Sequence, residues 1–302
     1  MQEQASYAAY KSPISTREIM FLTCLALLPG LVLRIFYQGL HLFYMILTGI
    51  ITAYFWQILV LILRRRSSEI VSMMTDFTLI LTVLILCLSI PSNIPLWLIC
   101  LGVSVAIVLG REVYGGLGSN IFNPAMLGFA VLLLGFPALM SAAGIDGQTR
   151  ATILSLSHEL RLGGREISLE GITWLSLGQN LAWLAGGIFL LWRRIIDIRI
   201  VLAVLLSALL LASVFYFVSP SKYLSPWQHL FAGALIFGAF FVATDPVTAA
   251  TSPQGRIIYG VIIGFMCICI RNLGTFPDGF AFAVLFANAL VVYLDRIRPK
   301  YQ

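Results

Sequence analysis

The sequence predicts an all-α integral membrane protein with about ten transmembrane helices. Three observations lead there: a composition too apolar for water, apolar runs of helix-spanning length along nearly the whole chain, and basic residues clustered mainly between or at the ends of the runs. The 302 residues are 60% hydrophobic and only 11% charged, with mean hydropathy +0.95, whereas soluble domains carry about a quarter charged residues. A soluble chain of this length cannot hide so much apolar surface. Lipid removes the conflict, because a spanning helix needs about 20 mostly apolar residues.

The apolar runs place spans at roughly 19–37, 40–63, 76–90, 94–110, 122–140, 172–192, 199–219, 227–243, 256–272 and 279–294. The third is short, and those near Pro246 and Pro277 are interrupted. Residues 1–18 are polar, and the run after them ends at Leu33 and Arg34 without an A-x-A site, so this is a first span rather than a cleaved signal peptide.

Basic residues set the orientation. With the N-terminus in the cytoplasm, Lys11, Arg17, Arg64, Arg65, Arg66, Arg111, Arg193, Arg194, Arg199, Arg256, Arg296, Arg298 and Lys300 face the cytoplasm, and six face the other side, which accounts for all 19. Both termini are then cytoplasmic. The net charge of +6 is therefore a topology signal and not a nucleic-acid footprint. The one long polar segment, 141–171, falls outside the cytoplasm. The chain divides into a first five-helix membrane repeat (1–140), this extracytoplasmic loop (141–171) and a second five-helix repeat (172–302).

The two halves resemble each other weakly. In the first, a short span precedes Pro91, and the next helix ends in Tyr114–Gly115–Gly116–Leu117–Gly118–Ser119–Asn120, leading to Asn123–Pro124. In the second, a span ends at Thr244–Asp245–Pro246, and the next helix runs into Asn272–Leu273–Gly274–Thr275–Phe276–Pro277–Asp278. Five helices per half is an odd number, so the halves insert with opposite orientation. Irregular backbone at membrane depth must be buried in protein or line a cavity, and half-helix N-termini suit an anion or an electron-rich ring. Prolines and glycines that merely kink packed helices are the plain alternative. Asn123, Thr244, Asp245 and Asp278 are the candidates for an ion or flavin cavity. For Asp245 and Asp278 a helix N-cap role is equally open.

The five cysteines, Cys24, Cys87, Cys100, Cys267 and Cys269, all lie in apolar runs without a C-x-x-C pair. That spacing argues against an Fe–S or zinc site built by this chain alone. No metal site and no catalytic residue is assigned.

The outside loop contains Asp146–Gly147–Gln148–Thr149–Arg150–Ala151–Thr152. On physics alone Thr152 is an ordinary surface threonine, since no His or Lys base adjoins it. The run, however, resembles the flavinylation motif D-x-x-[ST]-x-A-T of the RnfD/NqrB family. Further resemblance to RnfD lies in Leu117–Gly118–Ser119–Asn120–Ile121–Phe122–Asn123–Pro124–Ala125–Met126, Asn180–Leu181–Ala182–Trp183–Leu184–Ala185–Gly186–Gly187, Ala243–Thr244–Asp245–Pro246–Val247–Thr248–Ala249, Gly255–Arg256–Ile257–Ile258–Tyr259–Gly260 and Pro277–Asp278–Gly279–Phe280–Ala281–Phe282–Ala283. These segments stand in the family's order across nearly the whole chain. Arg150, where a small residue is usual, and Ile153, where Pro is common, depart from the pattern.

The resemblance implies FMN joined by a phosphodiester bond to Thr152, with Asp146, Thr149 and Ala151 filling the recognition positions for a separate flavin transferase. It implies a urea-transporter-like arrangement of two inverted repeats, and a second, non-covalent flavin such as riboflavin stays open. It further implies an inner-membrane component working with the A, B, C, E and G subunits of the Rnf complex in electron transfer between ferredoxin and NAD, coupled to Na⁺ or H⁺ movement. A small-solute or ion channel without a redox role is the competing reading, and a purely structural scaffold a third.

Overall fold

The computed structural model describes residues 15–116, 118–141, 154, 174–220, 222–274, 276 and 278–296. The regular secondary structure of the described residues is all helical, with no strand among them. The helices are α1 (Thr16–Gln38), α2 (His41–Leu63), the short α3 (Ile70–Met74), α4 (Thr78–Ser89), α5 (Leu96–Ser104), α6 (Pro124–Gly135) and α7 (Pro137–Ser141). After the 142–173 segment come α8 (Trp174–Trp192), α9 (Ile198–Val218), α10 (Pro226–Phe231), α11 (Leu235–Phe237), α12 (Pro253–Leu273) and α13 (Phe280–Leu294). π-Helical turns extend α5 over Val105–Leu109 and α11 over Gly238–Val242.

Among the described residues, five helical stretches are long and apolar enough to cross a membrane: Thr16–Gln38, His41–Leu63, Leu96–Tyr114, Ile198–Val218 and Pro253–Leu273. Their outward faces carry large apolar side chains, among them Val32, Phe36, Ile51, Phe55, Leu206 and Leu210. That is the surface of a multi-pass membrane protein, in which lipid replaces water. By contrast α4 and α6 have 12 residues each, about 18 Å of helix at 1.5 Å per residue, well short of the roughly 30 Å hydrocarbon layer.

Local chemistry sets the ends. Ser15 caps α1 by accepting the Glu18 N–H at 3.2 Å, and α1 stops at Gly39 with φ +80°. Ser225 and Gln228 form a reciprocal capping box at α10. Ser252 caps α12 with Pro253 in its first turn.

Two expected spans are not continuous. The 122–140 run is divided at Phe136, between Gly135 and Pro137. The 227–243 run is divided at Ala232–Gly233–Ala234, well before Pro246, because Gly233 takes φ +65°. There the Asp278 carboxylate accepts the Ala234 N–H at 2.8 Å. An apolar run cannot reveal that break, since the decisive capping partner lies 44 positions away.

The helices pack in pairs, some of them distant in sequence. α1 packs against α8, α2 against α5, α9 against α12, and α6 against α13. Small residues permit close approach: Trp183 lies on Gly30, Gly186 meets the Ala26 backbone, and Gly260 and Gly264 meet the backbone of α9 between Ile200 and Ala208. Polar links tie the pairs, as Trp56 donates to Ser104 at 2.7 Å and Gln179 to the Gly30 carbonyl at 2.9 Å. Arg34 on α1 donates to the carbonyls of Leu88 and Ile90, where α4 ends. A cation there satisfies orphan carbonyls and favours the negative end of the helix dipole.

Candidate functional site

Two helix N-termini and one buried cation meet at a small cavity whose lining is mostly apolar, with Met20, Leu81, Ile85 and Val247 in its wall. α4 begins at Thr78, after Phe77 in a left-handed conformation, with Asp76 accepting both the N–H and the hydroxyl of Thr78 at 2.9 and 2.6 Å. α6 begins at Pro124 and is capped by Asn123, which accepts the Met126 N–H at 3.2 Å. Both starts face a cavity of about 40 Å³ lined by Thr78, Thr82, Arg111, Asn120, Asn123 and Asp245, among others.

Arg111 is 2% exposed and donates to the Thr78 hydroxyl at 2.9 Å. Its Nε and one terminal nitrogen find no hydrogen-bond partner among the described residues. Only long ion pairs reach them, Glu112 at 3.5 Å and Asp76 at 4.0 Å. Unspent donors on a buried guanidinium are costly unless something accepts from them. Together with the positive ends of α4 and α6 they suit an acceptor: water, an anion, or the carbonyl edge of a ring. A space of about 40 Å³ takes waters or the edge of a larger group, not a whole tricyclic ring.

The structure brings Asn123 and Asp245 to the same cavity. Asp245 also accepts the Thr248 hydroxyl at 2.8 Å. Thr244 turns its hydroxyl back to the Phe240 carbonyl at 2.6 Å. Asp278 stands elsewhere, at a second cavity of about 70 Å³ that it lines with Ser89, Met126, Phe129, Ala234, Phe237, Gly238 and Phe280. There its oxygens accept from Arg271 at 3.2 Å and from the N–H groups of Ala234 and Phe280 at 2.8 and 3.1 Å. It is a cap and an ion-pair partner in one.

Both cavities lie along the same elements. Thr78, Leu81, Thr82 and Ile85 of α4 line the first and Ser89 the second. Pro124 and Ala125 of α6 line the first, Met126 and Phe129 the second. Asp146, Thr149, Ala151 and Thr152 lie outside the described residues, as does the rest of the 141–171 loop except Ser141 and Leu154.

The model of the NQR2, RnfD, RnfE family matches residues 4–302. The chain belongs to this family. Similar members of the NQR2, RnfD, RnfE family include the D subunit of the ion-translocating oxidoreductase complex of Aeromonas salmonicida, 39% identical, and that of Klebsiella pneumoniae, 37% identical. The counterpart from Salmonella arizonae is 36% identical. Each alignment covers 94% of this chain and 94% of the relative.

In this family member, sequence reasoning singled out Asn123 and Asp245 but passed over Arg111, Thr78 and Asn288. Arg111 read as a loop cation of the positive-inside pattern. Its burial follows from α4 and α6 starting on either side of it, which no periodicity announces. Asn288 sat unremarked in an apolar run, although a buried amide in a spanning helix is itself a signal. Among the described residues all five cysteines are free, and no group of three His, Cys, Asp or Glu residues is placed to hold a metal.

Proposed function

We propose that this chain is the RnfD component of an Rnf-type complex in a bacterial inner membrane, with FMN joined by a phosphodiester bond to Thr152. In this reading it takes part in electron transfer between ferredoxin and NAD, coupled to Na⁺ or H⁺ translocation, together with the A, B, C, E and G subunits. A flavin transferase loads it, reading Asp146, Thr149 and Ala151. The observation that carries the reading is the 146–152 motif within a chain whose relatives are named as the D subunit of an ion-translocating oxidoreductase complex.

The chemistry is coherent. A covalent phosphate tether fixes a redox ring in place without relying on binding affinity, and a flavin exchanges one or two electrons. The packing of α2 on α5 and of α9 on α12 supports the reading of two inverted five-helix repeats of urea-transporter-like form. The Arg111 cavity suits the carbonyl edge of a second, non-covalent flavin such as riboflavin, whose entry requires the walls at α4 and α6 to part. The positive-inside pattern supports a periplasmic flavin loop and cytoplasmic termini.

The test is in-gel flavin fluorescence of the denatured protein from cells with a working flavin transferase. Thr152→Ala abolishes the fluorescence in this reading, and covalent flavin persisting in that variant would refute it.

A further inference from the structure

The chain leaves α8 through a tight turn closed by two backbone hydrogen bonds. The N–H groups of Arg194 and Ile195 donate to the carbonyls of Leu191 and Leu190, both at 2.9 Å. The turn holds Arg194 in the left-handed conformation, with φ +56°. Glycine is the usual occupant of that position, because a Cβ is strained there. An arginine kept where glycine fits better points to a use for its side chain. α2 closes in the same way, with Arg65 also at φ +56°.

The acids around the α8–α9 connection are already engaged. Arg256 at the start of α12 pairs with Asp197 at 2.5 Å, and Asp197 also accepts the Arg199 N–H at 2.8 Å. Glu18 at the start of α1 faces Arg193 at 4.0 Å. Arg194 and Arg199 are exposed, and among the described residues neither enters an ion pair. The same connection is flanked by outward apolar surface. On α8, Trp192 is 76% exposed, with Ile188 exposed one turn deeper. On α9, Ile198 and Leu202 are exposed one turn apart. Two unmatched guanidinium groups thus stand at the head of two apolar stripes.

We propose that the α8–α9 connection binds an anionic phospholipid, with Arg194 and Arg199 on its headgroup phosphate and the stripes below Trp192 and Ile198 against its acyl chains. A guanidinium presents paired N–H donors that match phosphate oxygens, and an exposed tryptophan belongs at headgroup depth. A soluble phosphate would use the arginines alone, whereas a lipid uses the cations and the apolar stripes together. The site is independent of the Thr152 reading, since it needs only the membrane-spanning fold.

The protein is purified in detergent with the subunits that accompany it, stripped of lipid, and titrated with phosphatidylglycerol or phosphatidylcholine, bound lipid being counted by native mass spectrometry. The variants are Arg194→Gly, Arg199→Gln and Arg65→Gly. Glycine suits the left-handed turn, so Arg194→Gly removes the guanidinium without straining the fold. Phosphatidylglycerol is expected to bind wild type more tightly than phosphatidylcholine. Arg194→Gly and Arg199→Gln each weaken phosphatidylglycerol roughly fivefold and leave phosphatidylcholine unchanged. Arg65→Gly, the same change at the end of α2, leaves both unchanged, and millimolar inorganic phosphate does not displace the lipid. Equal binding of the two lipids by wild type overturns the proposal. So does an equal loss in Arg65→Gly, which marks a bulk charge effect, or displacement by inorganic phosphate, which marks a soluble-anion site. Loss of an accompanying subunit from Arg194→Gly with lipid binding intact assigns the surface to a protein partner and overturns it as well.

Discussion

The backbone N–H of Asn123 donates to the side-chain oxygen of Asn288 at 3.0 Å, across 165 positions of sequence. The Asn288 amide nitrogen donates in turn to the Thr248 carbonyl at 3.1 Å and the Tyr259 hydroxyl at 2.8 Å. One buried side chain therefore links the start of α6 to α12, α13 and the Asp245 break. Replacement by Leu strands an N–H, a carbonyl and a hydroxyl at once. Since each stranded buried group costs about 1–3 kcal/mol, Asn288→Leu is expected to lower the unfolding temperature in detergent by several degrees. A melting temperature equal to wild type would show that the link contributes little.

Arg34 serves the end of a helix too short to span. Without its guanidinium the carbonyls of Leu88 and Ile90 lose their charged donor. Hydrogen bonds to charged groups contribute about 1.5–3 kcal/mol each. Arg34→Leu is expected to destabilise more than Arg34→Lys, which keeps one donor. Comparing the two by detergent-to-denaturant titration checks the order.

The α1–α8 contact depends on the absence of a side chain at Gly186, where a Cβ would press on the Ala26 backbone. Overpacking costs roughly 1–3 kcal/mol, and backbone cannot yield as a flexible side chain does. Gly186→Leu is expected to reduce folded yield sharply, measured by size-exclusion profile. Gly135→Ala, where no atom lies near the added methyl, is the matched control expected to behave as wild type.

Arg111 supplies unspent donors to the cavity between the halves. If a second flavin is held there, Arg111→Met lowers the non-covalent flavin extracted by acid from the purified complex while the fluorescence of the covalent flavin is unchanged. Equal extractable flavin in wild type and variant would remove the cavity from consideration as that site.

Sidedness is checked by labelling. A cysteine at Ser157, in a background whose five native cysteines are replaced, is expected to react with a membrane-impermeant maleimide from the periplasmic side. One at Arg65 is expected to react only after the inner membrane is opened. The reverse pattern would invert the topology and remove the rationale for an outward flavin.

Composition and the order of apolar runs determined the membrane class and the approximate helix positions, because lipid imposes one strong rule on sequence: long apolar stretches with charges between them. Short motifs pointed to the family and marked Asn123 and Asp245, which the fold then set around one cavity with Arg111. What only the tertiary structure decided were the contacts between distant segments: Asp278 ending one apolar run at Gly233, Arg34 completing α4, and Asn288 holding Asn123. Each is a hydrogen bond between residues far apart in the chain, made strong by a medium without competing water. Local pattern carries no record of such partners, so hydropathy located the helices while the packed fold chose where they break and what those breaks face.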